Sequence, residues 1–148
     1  MNRISLDILR GPHPASFAAG HPVQAVRVFA DLSLATANGW TSFQAVVVDT
    51  GAAVSLLPRR YWAQSTFLSR GRAKVGGVSR RLECLIDATL AEVECLIADG
   101  TVTLGPFRAH AYMADSDDVP ALLGFAGLLD RLVLHVDVAA DEAYIESN

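Results

Sequence analysis

The stretch Val46-Val47-Val48-Asp49-Thr50-Gly51-Ala52-Ala53-Val54-Ser55-Leu56-Leu57-Pro58 decides how the rest of the chain is read. Its opening apolar, β-branched run predicts a buried strand. That strand ends on Asp49, a charged residue that a core strand excludes unless something nearby uses its charge. Gly51 predicts a tight turn with close backbone approach, and small Ala52 leaves room for another segment to pack nearby. Ser55 then begins a second apolar step, which Pro58 ends.

A carboxylate delivered by a core strand, with a hydroxyl and a glycine beside it, suits acid–base chemistry. Burial disfavours the charged form and a second carboxylate disfavours it further, so such a pair retains one proton. One carboxyl can then activate a water while its partner donates a proton. The plainer alternative is a strand-end Asp that caps a turn through its own backbone. Asp49-Thr50-Gly51 alone does not separate the two. The apolar run before it, and the pattern Ala52-x-x-Ser55-Leu56-Leu57-Pro58 after it, favour chemistry.

Val46 to Pro58 resembles the active-site segment of retropepsin-like aspartic proteases, the single-lobe enzymes related to retroviral proteases. A second segment, Ala121-Leu122-Leu123-Gly124-Phe125-Ala126-Gly127-Leu128-Leu129, resembles the family's hydrophobic-hydrophobic-Gly segment and the short helix that follows it. The two occur in the family's order, and the resemblance spans roughly residues 24 to 146. It implies an all-β fold, a closed barrel of short strands with one or two short helices. Residues 1–23 then form an N-terminal strand and connector, and 24–148 the protease-like domain.

Composition is compatible with that reading. The chain has 148 residues, enough for one domain with a core. Its hydrophobic content of 51% against 19% charged suggests extra buried surface, such as a subunit interface. A net charge of −4 gives no bulk attraction to nucleic acid or anionic membrane. No apolar run approaches the roughly 18 residues of a membrane-spanning helix, and charge interrupts the N-terminus too early for a signal peptide. A cytoplasmic location is therefore expected, with Cys84 and Cys95 as free thiols.

In chain order, Ile4 to Leu9 alternates as a half-buried strand, and Gly11 to Pro22 reads as an extended connector. Val26 to Leu34 is a strand, Asn38-Gly39 a hairpin turn, and Trp40 to Val48 the return strand that reaches Asp49. Pro58 to Gln64 suits a short helix with Pro58 in its first turn. Ser69 to Arg81 is basic, with Gly76-Gly77 placed between Val75 and Val78 as at a hairpin tip. Its alternatives are an ordinary solvated loop, or a phosphate-binding patch of Arg70, Arg72, Lys74, Arg80 and Arg81; no aromatic residues interleave to support the last. Leu82 to Ile97 and Val102 to Met113 read as strands, the second broken by Gly105-Pro106. Asp115 to Asp118 lacks the glycine and distal glutamate of a calcium loop and reads as a solvated turn. The four histidines show no metal-ligand spacing. Gly127 to Leu132 predicts a short amphipathic helix, and Leu132 to Val138 and Ala143 to Ile145 closing strands.

Because Asp49-Thr50-Gly51 occurs once, a two-carboxylate mechanism needs Asp49 from a second copy, as in a C2 homodimer. The resemblance implies Asp49, Thr50 and Gly51 as the catalytic turn, with Thr50 bracing it across the axis and Ser55 holding the loop. It also implies that Ala52, Ala53, Val75, Gly76, Gly77, Val78 and Leu123 contact an extended peptide, that terminal strands help join subunits, and that no metal or organic cofactor takes part. The chain departs from the pattern at Ala53, Phe125 and Ala126, where relatives place polar or charged residues. Losing both members of an ion pair leaves no orphan charge. Those departures keep a second reading open, a dimer of the same fold that binds peptides or proteins with little cleavage. A third is a different small β-barrel with a coincidental tripeptide.

Overall fold

The computed structural model describes residues 2–76 and 85–148. The protein is all-β with two short helices. The strands are β1 (Asn2–Ser5), β2 (Asp7–Pro12), β3 (Gln24–Thr36), β4 (Gly39–Trp40), β5 (Gln44–Val48), β6 (Ser55–Leu57), β7 (Leu68–Val75), β8 (Ile86–Ala98), β9 (Thr103–Ala114), β10 (Leu122–Leu123), β11 (Val133–Asp137) and β12 (Glu142–Ser147). Helix α1 is Pro14–Ala18 and α2 is Arg59–Trp62. The large sheet runs β2-β3-β5-β10-β6-β9-β8-β7, with β4 on β3, and β3 also pairs with β8. A second sheet, β1-β12-β11, joins the two ends of the chain.

Alternation along the long strands places Leu32, Leu34, Val93, Cys95 and Ile97 in one core with Val46, Leu57, Met113, Leu123 and Ile145. The three short strands nearest Asp49 read instead as continuous apolar runs. That is the pattern of strands covered on both sides.

The sequence-based element bounds shift where side-chain chemistry outcompetes local propensity. The hairpin after β3 turns on Ala37-Asn38, one residue early, since Thr36 pairs with Gly39. The return strand then breaks at Thr41, whose hydroxyl accepts the Leu34 N–H at 2.9 Å while its carbonyl accepts the buried Ser33 hydroxyl at 2.5 Å. Gly11 to Pro22 is no extended connector. It holds the end of β2 and helix α1, with Pro14 at the first helical position and the Ser16 N–H donated to His13 Nδ1 at 3.2 Å. Gly105-Pro106 does not break β9, because Leu96 stands alone opposite the pair in a bulge between Cys95 and Ile97. The helix expected over Gly127 to Leu132 shrinks to a 3-10 turn, Leu129–Arg131. Gly127 starts it at φ 76, where an added Cβ would lie 2.2 Å from the Arg108 carbonyl oxygen.

The expected leading strand splits at Leu6, half in each sheet. β1 pairs antiparallel with β12, Ile4 opposite Ile145, and both side chains are fully buried. The break is pinned by Asp99, whose Oδ2 accepts the Ser5 N–H at 2.8 Å. Its Oδ1 accepts from the Thr101 and Val102 N–H groups and the Thr101 hydroxyl, each at 2.8 Å. These donors, Ser5 first, hold the Asp99 carboxyl well below the usual carboxylate range.

A depressed folded-state pKa adds stability that is complete above the unfolded value and is lost as pH falls toward the folded one. Asp99→Ala is therefore expected to lower stability at pH 7 by about 1–2 kcal/mol, an amount discounted for the group's partial exposure. Urea unfolding should show the gap to the parent narrowing as pH drops below about 4. An equal gap at pH 7 and pH 3 would remove Asp99 as the pin.

Candidate active site

β10 is only two residues long, yet it lies between the strands on either side of Asp49. It runs parallel to β5, with Leu122 opposite Val47 and Leu123 opposite Val48, and antiparallel to β6, with Leu122 opposite Leu56. The Val47 N–H donates to the Ala121 carbonyl and the Asp49 N–H to the Leu123 carbonyl, both at 2.9 Å. The Asp49 backbone is thereby tied into the sheet, while the residues after it turn out of the sheet.

Asp49 Oδ1 accepts the Gly51 N–H at 2.8 Å, and the Asp49 carbonyl accepts the Ala52 N–H at 3.2 Å. This is an Asx-turn, so the plainer alternative for this residue is realised by one of its two oxygens. Oδ2 has no hydrogen bond among the described residues. The side chain is half-buried, and Thr50 and Gly51 are exposed.

A second layer of backbone contacts fixes the turn. Ala52 and Ala53 accept the N–H groups of Phe125 and Ala126 at 3.0 and 2.9 Å. The buried Ser55 hydroxyl accepts the Gly124 N–H at 2.9 Å, as expected of a residue that holds the loop. Gly124 has no room for a side chain: a Cβ there would lie 2.7 Å from the Ala52 carbonyl oxygen and from Val54 C. The Ala126 carbonyl accepts the His110 N–H at 3.0 Å, which anchors this layer on β9.

The expected site residues are thus placed unequally. Asp49, Thr50, Gly51, Ala52 and Ala53 lie on one turn. Leu123 meets that turn only through its carbonyl. Its side chain is 1% exposed and packs in the main core, so it offers no surface to a peptide. Val75 is the last residue of β7 to pair, opposite Ile86 of β8. At Gly76 an added Cβ would come within 3.0 Å of Leu85 Cδ2. Gly77 and Val78 lie outside the described residues, as do Arg80, Arg81 and Cys84.

The stem carries cross-strand charge pairs. Lys74 meets Asp87 at 2.8 Å, and Arg70 meets Glu92 at 2.5 Å. Arg72 binds Asp115 through both guanidinium nitrogens, at 3.0 and 2.5 Å, and also donates to Thr89 Oγ1. Each base grouped as a phosphate patch and described here therefore faces a carboxylate. The same loop as Asp115 reaches α2, where the Arg60 N–H donates to Asp117 Oδ1 at 2.6 Å.

One surface groove, of about 450 Å³, is lined by Leu6, Ile8, Leu9, Phe29 and Ala45, among others, and includes no residue of the turn. No group of three or more metal-ligating side chains occurs among the described residues. No described helix is long and apolar enough to cross a membrane. Neither a protein-family model nor a curated protein matches the chain.

The close packing at Gly124 and the Arg72–Asp115 pair are not foreseen from the sequence. For Gly124 the signal was present, a glycine after two apolar residues, but its contact partner is far off in sequence. Gly124→Ala is expected to cost about 3 kcal/mol or more, since backbone on both sides must move. Gly11→Ala, with nothing within 4 Å of its Cβ, should stay within about 0.5 kcal/mol of the parent. Thermal melts of both variants check the contrast, and equal loss would refute the close-packing account.

Proposed function

We propose that this chain is a retropepsin-like aspartic endopeptidase, a closed barrel that works as a homodimer and hydrolyses peptide bonds between two Asp49 carboxyls. The observation that carries the proposal is the meeting of its two marked segments. Gly124 and Ser55 stand 69 positions apart in sequence and are joined by a buried hydrogen bond directly behind the Asp49 turn. The barrel is supported by the order of strand pairings, which passes β3-β5-β10-β6-β9-β8 and returns to β3.

In the proposed reaction Oδ1 keeps the turn rigid while Oδ2 faces a water and the other Asp49. The dyad holds one proton. The ionised carboxyl takes a proton from water as it attacks the peptide carbonyl, and the protonated one donates to the tetrahedral oxygen. An extended peptide adds strand-like backbone contacts beneath the β7–β8 hairpin, with apolar pockets setting preference. Every step uses side chains of the chain itself. The second reading, a peptide- or protein-binding dimer of the same fold, is favoured by the apolar Ala53, Phe125 and Ala126 beside the turn.

Asp49→Asn distinguishes them. The amide is nearly isosteric but can neither take a proton from water nor share one with its mate, so cleavage should fall by about 10³-fold with the fold intact. Assay against a diverse peptide library checks this. Undiminished cleavage by pure Asp49→Asn protein would falsify the assignment, and peptide binding without cleavage in both forms would establish the binding reading.

A further inference from the structure

Strand β3 has two unlike faces. Val28, Ala30 and Leu32 pack in or against the main core. By alternation Arg27, Phe29 and Asp31 therefore stand together on the outer face. Register widens that face onto β2, where Leu9 lies opposite Arg27 and Asp7 opposite Phe29. Leu9 is 56% exposed, and Phe29 is half-buried. Three grooves, of about 450, 230 and 260 Å³, all include Phe29. The first shares Leu9 with the second and Asp7 with the third, so they adjoin along β2 and β3.

The charges on this face differ from those on the other strands. Arg3, Arg10, Arg70, Arg72 and Lys74 each meet a carboxylate. Arg27, Asp7 and Asp31 have no ion pair or side-chain hydrogen bond among the described residues. Four residues apart on an extended strand, Arg27 and Asp31 lie about 13 Å from each other, too far to pair. The face thus carries an unpaired cation at one end, two unpaired carboxylates at the other, and an aliphatic and an aromatic side chain between them. We propose that it is a docking site for an extended segment of a partner protein that carries an acidic, an apolar and a basic residue at alternate positions. Such a segment repeats its side-chain direction every two residues, the same interval that separates Arg27, Phe29 and Asp31. An acidic residue on Arg27 then brings the apolar one onto Phe29 and Leu9 and the basic one between Asp31 and Asp7. Each exposed pair contributes little alone, but charges matched along one strand select its register and direction. None of the three grooves includes a residue of the Asp49 turn, so the docking site does not rest on the hydrolytic reading.

Fluorescence anisotropy on the full chain tests this, with a labelled peptide that carries Glu, Leu and Arg at alternate positions separated by strand-favouring threonines. Saturable binding is expected. Arg27→Glu should weaken it at least tenfold, as should Asp7→Lys combined with Asp31→Lys, and replacing the peptide's Leu by Ser should do the same on the parent protein. A peptide carrying Glu, Leu and Glu should restore affinity for the doubly lysine-substituted chain, a rescue that damage to the fold would not give. Asp49→Asn should bind the first peptide as tightly as the parent does, which separates this face from the Asp49 turn whether or not the chain cleaves peptides. No saturable binding up to about 1 mM peptide would overturn the proposal. So would equal affinity for a peptide of the same composition with Glu and Arg adjacent, a failed charge-swap rescue in a chain that melts like the parent, or binding lost in Asp49→Asn.

Discussion

The insertion of β10 between β5 and β6 is the constraint on which the rest depends. A two-residue strand has little pairing energy of its own, so its position is secured by what surrounds it. Parallel rungs to Val47 and Asp49 fix one side, and the Ser55 hydroxyl and the carbonyls of Ala52 and Ala53 fix the segment that follows. Gly124 permits this only because it has no side chain. The outcome is a carboxylate whose backbone is immobilised by the sheet and whose Oδ1 is committed to its own turn. Oδ2 is left for other partners. Preorganisation of that kind is what acid–base catalysis requires, since a reacting group held in place loses no energy to reorientation.

Much of this was legible beforehand, and the reasons differ by element. The Val46–Val48 run, the turn at Asp49-Thr50-Gly51 and the short helix after Pro58 are local patterns, so residues adjacent in sequence carry the signal. The long strand β3 is legible from alternation, and β8 and β9 also read as strands. Misreadings arose where a side chain replaced a backbone rung. The Thr41 hydroxyl breaks the return strand, the His13 ring caps an unexpected helix, and Asp99 divides the leading strand. None of these has a periodic signature. Leu123 is a peptide contact only by what the resemblance implies, whereas its apolar segment reads as a buried strand, and the packing places its side chain in the core.

Charge placement connects the hairpin to the site without entering it. Arg72 ties the β7–β8 stem to Asp115, and Asp117 of that same loop accepts the Arg60 N–H at the start of α2, which follows directly from β6. The Asp115 carboxyl is held below its ordinary range by the Arg72 guanidinium. Exposed pairs of this type contribute little to global stability. Here their effect is on relative position, joining the β7–β8 stem to the element behind the Asp49 turn. Burial pushes the Cys95 thiol, by contrast, up to about 12, far from the nucleophilic form.

The central claim is that two Asp49 side chains make one site. Calorimetric titration with a peptide that carries a hydroxyl-bearing isostere of the tetrahedral intermediate tests it most directly, because such a ligand is recognised by the dyad rather than by the pockets. One isostere peptide should bind per two chains, and Asp49→Asn should remove the preference for the isostere over the plain peptide. Binding of one ligand per chain, or an isostere preference that survives Asp49→Asn, would contradict the account.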